Sequence, residues 1–222
     1  ASGIANIYHR HPGVMLMGAN TVAEATGGRM ILGMGVSSPA IVSKVRGIDY
    51  GKPLAFLRTY LEAMEASMYT AVAPAESVPV VLAALGPRML ELAAEKTAGA
   101  HPYNTTPEHT AMARGVMGPD AGLFVEQKVI FTEDPAVARA TGGKVLRFYS
   151  RAPGYVNAWK RMGFSDDDIS TQSDRLIDAI VAWGTADQIE ARLQEHADAG
   201  ASHVCIHPLH PEDGQGQPDD DA

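Results

Sequence analysis

The sequence lacks several features that would assign it to a class at once. It has a single cysteine, so no disulfide can form within the chain, and the apolar run around Cys205 predicts an inert buried thiol in a reducing compartment. No apolar stretch approaches the roughly 20 residues that span a bilayer, and no basic start followed by an apolar segment indicates export. We therefore expect a soluble cytoplasmic protein.

Basic residues are scarce as well. Lysine and arginine number 18 against 26 aspartates and glutamates, which gives a formal charge of -8. Five of the acids fall in residues 211–222, which contain no base, so the rest of the chain is only mildly acidic. Such a surface has no electrostatic attraction for nucleic acid or for an anionic membrane. A small molecule is the expected partner.

Hydrophobic residues are plentiful by contrast, at 45% of 222 residues, which suffices for one sizeable core. We assign residues 1–210 to a single domain. Residues 211–222 consist largely of Pro, Gly, Gln and Asp, which cannot bury apolar surface. They are predicted to form a disordered acidic tail.

Apolar segments typical of strands alternate along the domain with segments of helical periodicity. Leu54, Leu57, Leu61, Met64 and Met68, for example, form one apolar stripe along a predicted helix. The predicted strands are 4–8, 29–36, 78–85, 100–103, 123–131 and 203–207. The predicted helices are 14–26, 54–68, 88–98, 108–114 and 185–200, and residues 135–183 are predicted to be helical with breaks at Gly142-Gly143, at Pro153-Gly154 and between Ser165 and Asp168.

Six predicted strands, most of them apolar throughout, indicate a parallel sheet covered by helices. A dinucleotide-binding sheet would show Gly-x-Gly-x-x-Gly, but Gly33 and Gly35 are followed by Ser38 where the third glycine belongs. A (β/α)8 barrel takes about 250 residues and eight strands. The sequence therefore predicts an α/β fold, a TIM-type (β/α)8 barrel that is incomplete, with six of the eight strands present.

The turn formed by Gly86, Pro87 and Arg88 is the best candidate for an anion site. Glycine lets a ligand approach the backbone, the first turn of the following helix offers free N–H groups, and Arg88 adds a positive charge. A Gly-Pro pair also simply starts many helices, so the pattern leaves both readings open. The predicted strand ends carry no paired carboxylates and no serine elbow, so hydrolysis by a protein nucleophile is not supported.

Histidines cluster at two places, His9 with His11 and His207 with His210. Alternate positions on a strand would put His9 and His11 on one face, which is compatible with a metal site. No cluster of acids or cysteines lies near them in the sequence. Exposed or hydrogen-bonded histidines are the simpler interpretation, and we predict no metal site.

Six segments stand out when they are taken together: Gly3 to Pro12, Gly28 to Ser37, Leu82 to Pro87 with Met89, Ala98 to Tyr103, Gly184-Thr185 and Ala199 to Ala201. They resemble the luciferase-like monooxygenase family, most closely its F420-dependent oxidoreductase branch. The resemblance covers nearly the whole chain to about His210, and the order and spacing of its motifs make it specific. Members of that family carry two further βα units before the first of these motifs, and this sequence lacks them.

The resemblance implies a barrel that holds a flavin or a 5-deazaflavin, usually in a homodimer. It places a bulge behind the tricyclic ring at Ser2, Gly3 and Ile4, and the cofactor phosphate at the Gly86 turn. Tyr103 and Asn104 would help to hold that phosphate. The expected cofactor-binding residues are Ser2, Gly3, Ile4, Gly35, Gly86, Pro87, Arg88, Tyr103 and Asn104.

The leading functional hypothesis is hydride transfer between reduced F420 and a small organic substrate, with His9 or His11 supplying a proton. An FMN-dependent monooxygenase that uses molecular oxygen is the alternative enzyme. A non-catalytic flavin-binding protein or dimeric barrel fragment is a second alternative. A sugar-phosphate enzyme would use the same Gly86 turn, but no lysine base stands at a predicted strand end.

Overall fold

The computed structural model describes residues 1–211, which divide into two compact units. The first unit is Ala1–His101 and the second begins at Pro102. Apart from Pro211, the predicted disordered tail lies outside the described residues. Among the described residues, none of the helices combines the length and the apolar character needed to cross a membrane.

The first unit is a parallel sheet with helices between its strands. Its strands pair side by side in chain order, β1 with β2, β2 with β3 and β3 with β4. Met34 lies at the centre of this sheet, fully buried and in register with Ala5 on one side and Leu82 on the other. The strands are β1 (Ala5–Asn6), β2 (Leu32–Gly35), β3 (Val80–Leu82) and β4 (Gly99–Ala100), and the helices are α1 (Pro12–Ala25), α2 (Pro53–Glu65) and α3 (Pro87–Lys96).

Proline begins α1, α2 and α3 because its fixed φ suits the first helical position and its missing N–H is not needed there. The predicted stripe on α2 is confirmed at Leu57, Leu61 and Met64, which are buried. It is wrong at Met68, whose side chain is 86% exposed. The helix ends at Glu65, so Met68 no longer follows its periodicity.

The second unit is built on the long strand β5, which pairs in parallel with both β6 and β7. Its helices pack a core in which Trp159 is fully buried beside Leu146 and Leu176. The strands are β5 (Gly122–Phe131), β6 (Val181–Gly184) and β7 (His203–Pro208). The helices are α4 (Pro107–Met117), α5 (Pro135–Tyr149), α6 (Pro153–Arg161), α7 (Asp166–Thr171), α8 (Asp174–Ile180) and α9 (Ala186–Asp198).

Two predictions for the second unit are wrong. Gly142 and Gly143 do not interrupt the chain, because α5 runs through both. A Cβ on Gly142 would lie 2.8 Å from Ile177 Cγ2, so the glycine allows α8 to pack closely against α5. Residues 181–184 form β6 rather than the end of a helix, because pairing with Lys128–Phe131 of β5 determines their conformation.

The other predicted strands and helices are present, most strands being shorter than predicted. The first predicted strand shows the difference best, since pairing ends at Asn6 and residues Ile7–His9 form a 3-10 turn. Both units have parallel strands alternating with helices, which confirms the α/β class. The part of the chain that the structure describes holds the six predicted strands together with the additional strand β6.

Candidate functional site

The carboxyl ends of β1, β2 and β3 share one edge of the first unit, because the strands are parallel. The opening segment of the chain lies against the amino-terminal half of β2 and leads into β1. Ser2 Oγ is 3.0 Å from both the backbone N and the backbone O of Gly33, and Ser2 N donates to Ile31 O at 3.0 Å. A Cβ on Gly33 would collide with the carbonyl oxygen of Ser2. Glycine at position 33 therefore permits the close approach of the opening segment to β2.

Gly35 is also closely packed, in this case against two side chains. A Cβ there would lie 2.9 Å from Ile4 Cγ2 and 3.1 Å from Ala83 Cβ. The peptide bond between Gly3 and Ile4 is cis, and both residues are exposed. The structure thus brings together four of the residues that the sequence predicts at a cofactor, namely Ser2, Gly3, Ile4 and Gly35.

The Gly86 turn follows β3 and leads straight into α3. Gly86 is the N-cap of that helix, and no side chain of the described residues caps it. Pro87 and Arg88 are exposed. Pro87 has no N–H and Met89 N already donates to Gly86 O at 3.0 Å, so the amino end of α3 offers an anion mainly the positive end of the helix dipole and the Arg88 guanidinium.

His9 and His11 are both exposed at the same edge, but each has a local partner. His9 Nε2 lies 3.4 Å from Asn6 Nδ2, and His11 Nδ1 accepts a hydrogen bond from Gly13 N at 3.2 Å. His11 is therefore the N-cap of α1. The prediction that they share one face of a strand is wrong, because β1 ends at Asn6.

Two tyrosines that the sequence analysis missed, Tyr8 and Tyr50, connect the loop after β2 with the turn that follows β1. Tyr8 donates to the backbone oxygen of Tyr50 at 2.6 Å, and Tyr50 donates to the backbone oxygen of Ser37 at 3.2 Å. Burial raises the pKa of Tyr8 to about 12, with smaller contributions from Tyr50 and Asp49. Both hydroxyls are therefore protonated donors near neutral pH.

The second unit carries a buried cluster of charged and polar side chains on β5. Lys128 Nζ lies 2.8 Å from Glu126 Oε1, and the two side chains are 0% and 5% exposed. They occupy alternate positions of β5 and so point to the same face of the sheet. We call Glu126, Lys128, Tyr103 and His207 the buried charge cluster.

Glu126 accepts hydrogen bonds from three directions. Besides Lys128, its donors are Asn104 N at 3.2 Å and His207 Nδ1 at 3.1 Å. Burial by itself would raise the pKa of Glu126, but the charge of Lys128 and these hydrogen bonds hold it below its usual range. Glu126 is therefore an ionised carboxylate inside the protein.

Tyr103 and Asn104, predicted at the cofactor phosphate, both belong to this neighbourhood. Lys128 Nζ sits 3.7 Å from the centre of the Tyr103 ring, and the Tyr149 hydroxyl donates to that of Tyr103 at 3.0 Å. Asn104 is 1% exposed, and within residues 1–211 neither polar atom of its side chain has a hydrogen-bond partner. Its backbone oxygen accepts from Trp159 Nε1 at 3.0 Å.

The sequence analysis missed Glu126 and Lys128 and treated His207 only as one of a histidine pair. A signal was available, because the polar run Glu126, Gln127 and Lys128 interrupts a strand that is apolar on both sides of it. Their connection with His207 was not available, since it depends on the pairing of β5 with β7. Within the described residues, no group of His, Cys, Asp and Glu side chains is placed to hold a metal ion.

Parallel strands that alternate with helices, with a helix-start turn directly after the carboxyl end of a strand, are typical of enzymes built on TIM-type α/β folds. The chain belongs to the luciferase-like monooxygenase family, whose sequence profile matches residues 1–203. It is an enzyme of that oxidoreductase class. The predicted family and the predicted fold, a TIM-type α/β fold with an incomplete barrel, are confirmed.

Individual proteins of known name are similar to this chain in sequence or in structure. A 5,10-methylenetetrahydromethanopterin reductase of Archaeoglobus fulgidus is 22% identical over 247 residues, covering 91% of this chain and 74% of the relative. The structure of a coenzyme F420 dependent tetrahydromethanopterin reductase from Methanopyrus kandleri matches with a TM-score of 0.73 at 20% identity, covering 96% of this chain and 78% of that one. An F420-dependent secondary alcohol dehydrogenase in complex with an F420-acetone adduct matches with a TM-score of 0.71 at 14% identity, covering 97% and 74%.

Proposed function

We propose that this chain is an F420-dependent oxidoreductase that transfers a hydride between the reduced deazaflavin and a small organic substrate. The observation that carries the proposal is the uncapped amino end of α3 with its exposed Arg88. Only β2 separates the strand that precedes this helix from the Ser2–Ile4 segment. Gly35 of β2 lies close to both Ile4 and Ala83, which follows β3. The F420-dependent enzymes among the similar proteins support the choice of cofactor.

The residues of the first unit fit such a cofactor chemically. The backbone at Gly86 and the Arg88 guanidinium suit an anionic phosphate. The exposed backbone of Gly3 and the adjacent Ile4 side chain offer an uncharged surface for a flat ring. When bound, F420 supplies hydride transfer, and the protein supplies binding, orientation and protons.

Of the two histidines predicted as proton donors, His9 suits the role better in the first unit. His11 Nδ1 is occupied by the backbone of α1, and removing it would leave that helix without its cap. His9 is exposed, and its Nε2 lies 3.4 Å from the side-chain nitrogen of Asn6, so it caps no helix. Of His9 and His11, we therefore propose His9 as the proton donor.

Fluorescence titration with F420 and with FMN tests the choice of cofactor. We expect saturable quenching of F420 and, under anaerobic conditions, oxidation of reduced F420 by members of a panel of small carbonyl compounds. Saturation by FMN alone, with oxygen consumed in the presence of a substrate, would favour the monooxygenase alternative. Binding without turnover would favour the non-catalytic alternative, and no response to either cofactor would contradict all three.

We also propose that the chain forms a homodimer, as the family resemblance implies. Sedimentation velocity over a range of protein concentrations measures this directly. A single species with the mass of one chain throughout that range would contradict the proposal.

A further inference from the structure

Three aromatic rings lie together at the carboxyl edge of the first unit. The centre of the Tyr8 ring lies 5.3 Å from that of Tyr50 and 4.8 Å from that of Phe56, with interplanar angles of 22° and 33°. Tyr8 follows β1, Tyr50 belongs to the loop after β2, and Phe56 stands in the first turn of α2, to which that loop leads. We call Tyr8, Tyr50 and Phe56 the aromatic cluster.

The aromatic cluster presents ring surface rather than hydroxyl groups. Both tyrosine hydroxyls already donate to backbone oxygens, that of Tyr8 to Tyr50 and that of Tyr50 to Ser37. The Phe56 side chain is 39% exposed, and the ring of the buried Tyr60 supports it from 6.0 Å away. Aromatic rings pair favourably with one another at centre distances of about 4.5–7 Å. The exposed part of Phe56 is therefore apolar surface on which a further ring can stack.

The aromatic cluster lies beside the place proposed for the cofactor ring. The backbone oxygen that accepts from Tyr50 belongs to Ser37, which comes two residues after Gly35. Gly35 is packed against Ile4, where the cofactor ring is proposed to lie. Two residues of chain span at most about 7 Å. A molecule held by the cluster is therefore within reach of that ring.

Positive charge predominates around the aromatic cluster. The loops after β1 and β2, residues 7–11 and 36–52, carry four bases and one acid, in a chain whose formal charge is -8. Lys52 lies one helical turn before Phe56, since Phe56 N donates to Lys52 O at 3.0 Å. Such an excess of bases attracts a ligand of negative charge. The bases are Arg10, Lys44, Arg46 and Lys52, all exposed, and the acid is Asp49, whose Oδ1 accepts from Gly51 N at 3.1 Å.

We propose that the aromatic cluster binds the substrate of this enzyme, and that the substrate is a flat apolar ring that carries a carboxylate or another acidic group. The substrate ring stacks on the exposed surface of Phe56, and its acidic group pairs with Lys52. The inference rests on the proposed function for the reaction, to which it adds the class of substrate. Tyr8 and Tyr50 hold the loop after β2 in the position that this binding requires.

Four matched probes test the ring and the charge separately and need no turnover. Naphthoate has the ring and the negative charge, naphthamide has the ring alone, naphthylmethylammonium has the ring with a positive charge, and acetate has the negative charge alone. Isothermal titration calorimetry measures their dissociation constants on the protein saturated with oxidised F420. We expect naphthoate to bind about fivefold more tightly than naphthamide, the effect of one pair of charges about 4 Å apart in water. The ammonium compound and acetate should both bind more weakly than naphthamide.

Two results with these probes would overturn the inference. Equal affinities for naphthoate and naphthamide would exclude the acidic group. Failure of all three naphthalene compounds to bind would exclude the ring.

Variants of Phe56 test where the ring binds. Phe56→Ala should weaken the binding of naphthoate about twofold to tenfold, the value of one stacked pair of rings. Phe56→Leu keeps an apolar side chain without a ring and should show most of the same loss. Phe148→Ala changes an exposed phenylalanine of the second unit and is the matched control, which should bind like the wild type. Wild-type affinity in Phe56→Ala would overturn the assignment of the cluster.

Lys52→Gln tests where the acidic group binds. It should weaken the binding of naphthoate about fivefold and leave that of naphthamide within about twofold, because only the charged probe loses a partner. Lys144→Gln, at an exposed position of the second unit, is the control and should change neither. A Lys52→Gln variant in which both probes are weakened equally, or neither is, would overturn the role of Lys52.

Titrations with and without F420 separate this inference from the proposed function. A protein that does not bind F420 contradicts the proposed function and, with it, the role of the aromatic cluster in that reaction. A protein that binds F420 but none of the naphthalene compounds contradicts only the substrate class. Displacement of naphthoate by F420 would mean that the cluster holds the cofactor ring, which also overturns the substrate class and leaves F420 binding standing.

Discussion

The two units differ in where their polar and charged groups lie. In the first, the carboxyl ends of the strands carry glycines, a helix start without a side-chain cap and exposed cations. In the second, Glu126 and Lys128 are buried in the interior of β5, with hydrogen bonds to each other and to the backbone N–H of Asn104. The groups of the first unit are therefore accessible to an anionic ligand. The charged side chains of the second unit are instead held in fixed positions by their hydrogen bonds to each other.

Removal of one member of the buried pair should have the largest effect. Glu126→Ala leaves Lys128 as an uncompensated charge in the protein interior, which costs about 3–5 kcal/mol of unfolding free energy. The matched control in the first unit is Glu95→Ala, which breaks an ion pair with Arg58 whose side chains are about half exposed, at 52% and 42%. Urea denaturation compares the two. Equal losses would contradict the contrast between the units.

The close approach of the opening segment to β2 predicts the next largest effect. Gly33→Ala places a methyl group against the Ser2 carbonyl, so the opening segment or the strand must move, at a cost of about 3 kcal/mol. Gly18→Ala, in the exposed face of α1 with nothing within 4 Å, is the control and should stabilise by about 0.5–1 kcal/mol. Thermal and urea unfolding measure both. A Gly33→Ala variant as stable as the wild type would contradict the packing described.

His196 gives the second unit a stability that depends on pH. It is fully buried, with Nδ1 2.8 Å from Thr110 Oγ1 and Nε2 2.9 Å from Gln127 Oε1. Burial and then the nearby charge of Arg192 lower its pKa to about 4, so the folded protein holds it neutral while the unfolded chain protonates it below about pH 6.5. Its contribution is complete above that pH and is lost as the pH falls toward 4.

Between pH 7 and pH 5 this linkage should cost about 2 kcal/mol of unfolding free energy. Urea denaturation at the two pH values measures it, and His196→Asn should remove most of the dependence. His203→Asn, which changes an exposed histidine on the same unit, should leave it intact. An unchanged pH dependence in His196→Asn would assign the effect to other groups.

The smallest predicted effect concerns Arg88 in the Gly86 turn of the first unit. Arg88→Gln should weaken F420 binding about fivefold to tenfold, the value of one favourable charge at a helix start, without changing the melting temperature. Arg29→Gln is the control, because Arg29 is equally exposed but precedes the amino end of β2. Fluorescence titration compares them. Equal affinities for the two variants would place the anion elsewhere.

Local signals in the sequence were sufficient for most of the fold. Prolines mark the starts of α1, α2 and α3, and the capping box of Thr185 with Gln188 marks the start of α9. These features act within one turn of helix, so the sequence displays them directly. The open Gly86 turn could be predicted for the same reason.

Long-range contacts explain what the sequence could not predict. Gly142 looks like a helix break until α8 is seen to pack against it, and residues 181–184 become a strand only beside β5. The contact between Glu126 and His207 joins residues 81 positions apart and depends on the register of β5 with β7. No local pattern encodes that register.

The central claim is that F420 binds to the first unit, at the Gly86 turn and the Ser2–Ile4 segment. Titration of the ¹⁵N-labelled protein with F420, followed through its backbone amide resonances, tests this most directly. We predict that the largest saturable shifts fall at Gly86, Arg88 and residues 2–6. Saturable shifts that leave those amides unmoved, or the absence of any saturable shift, would contradict the claim.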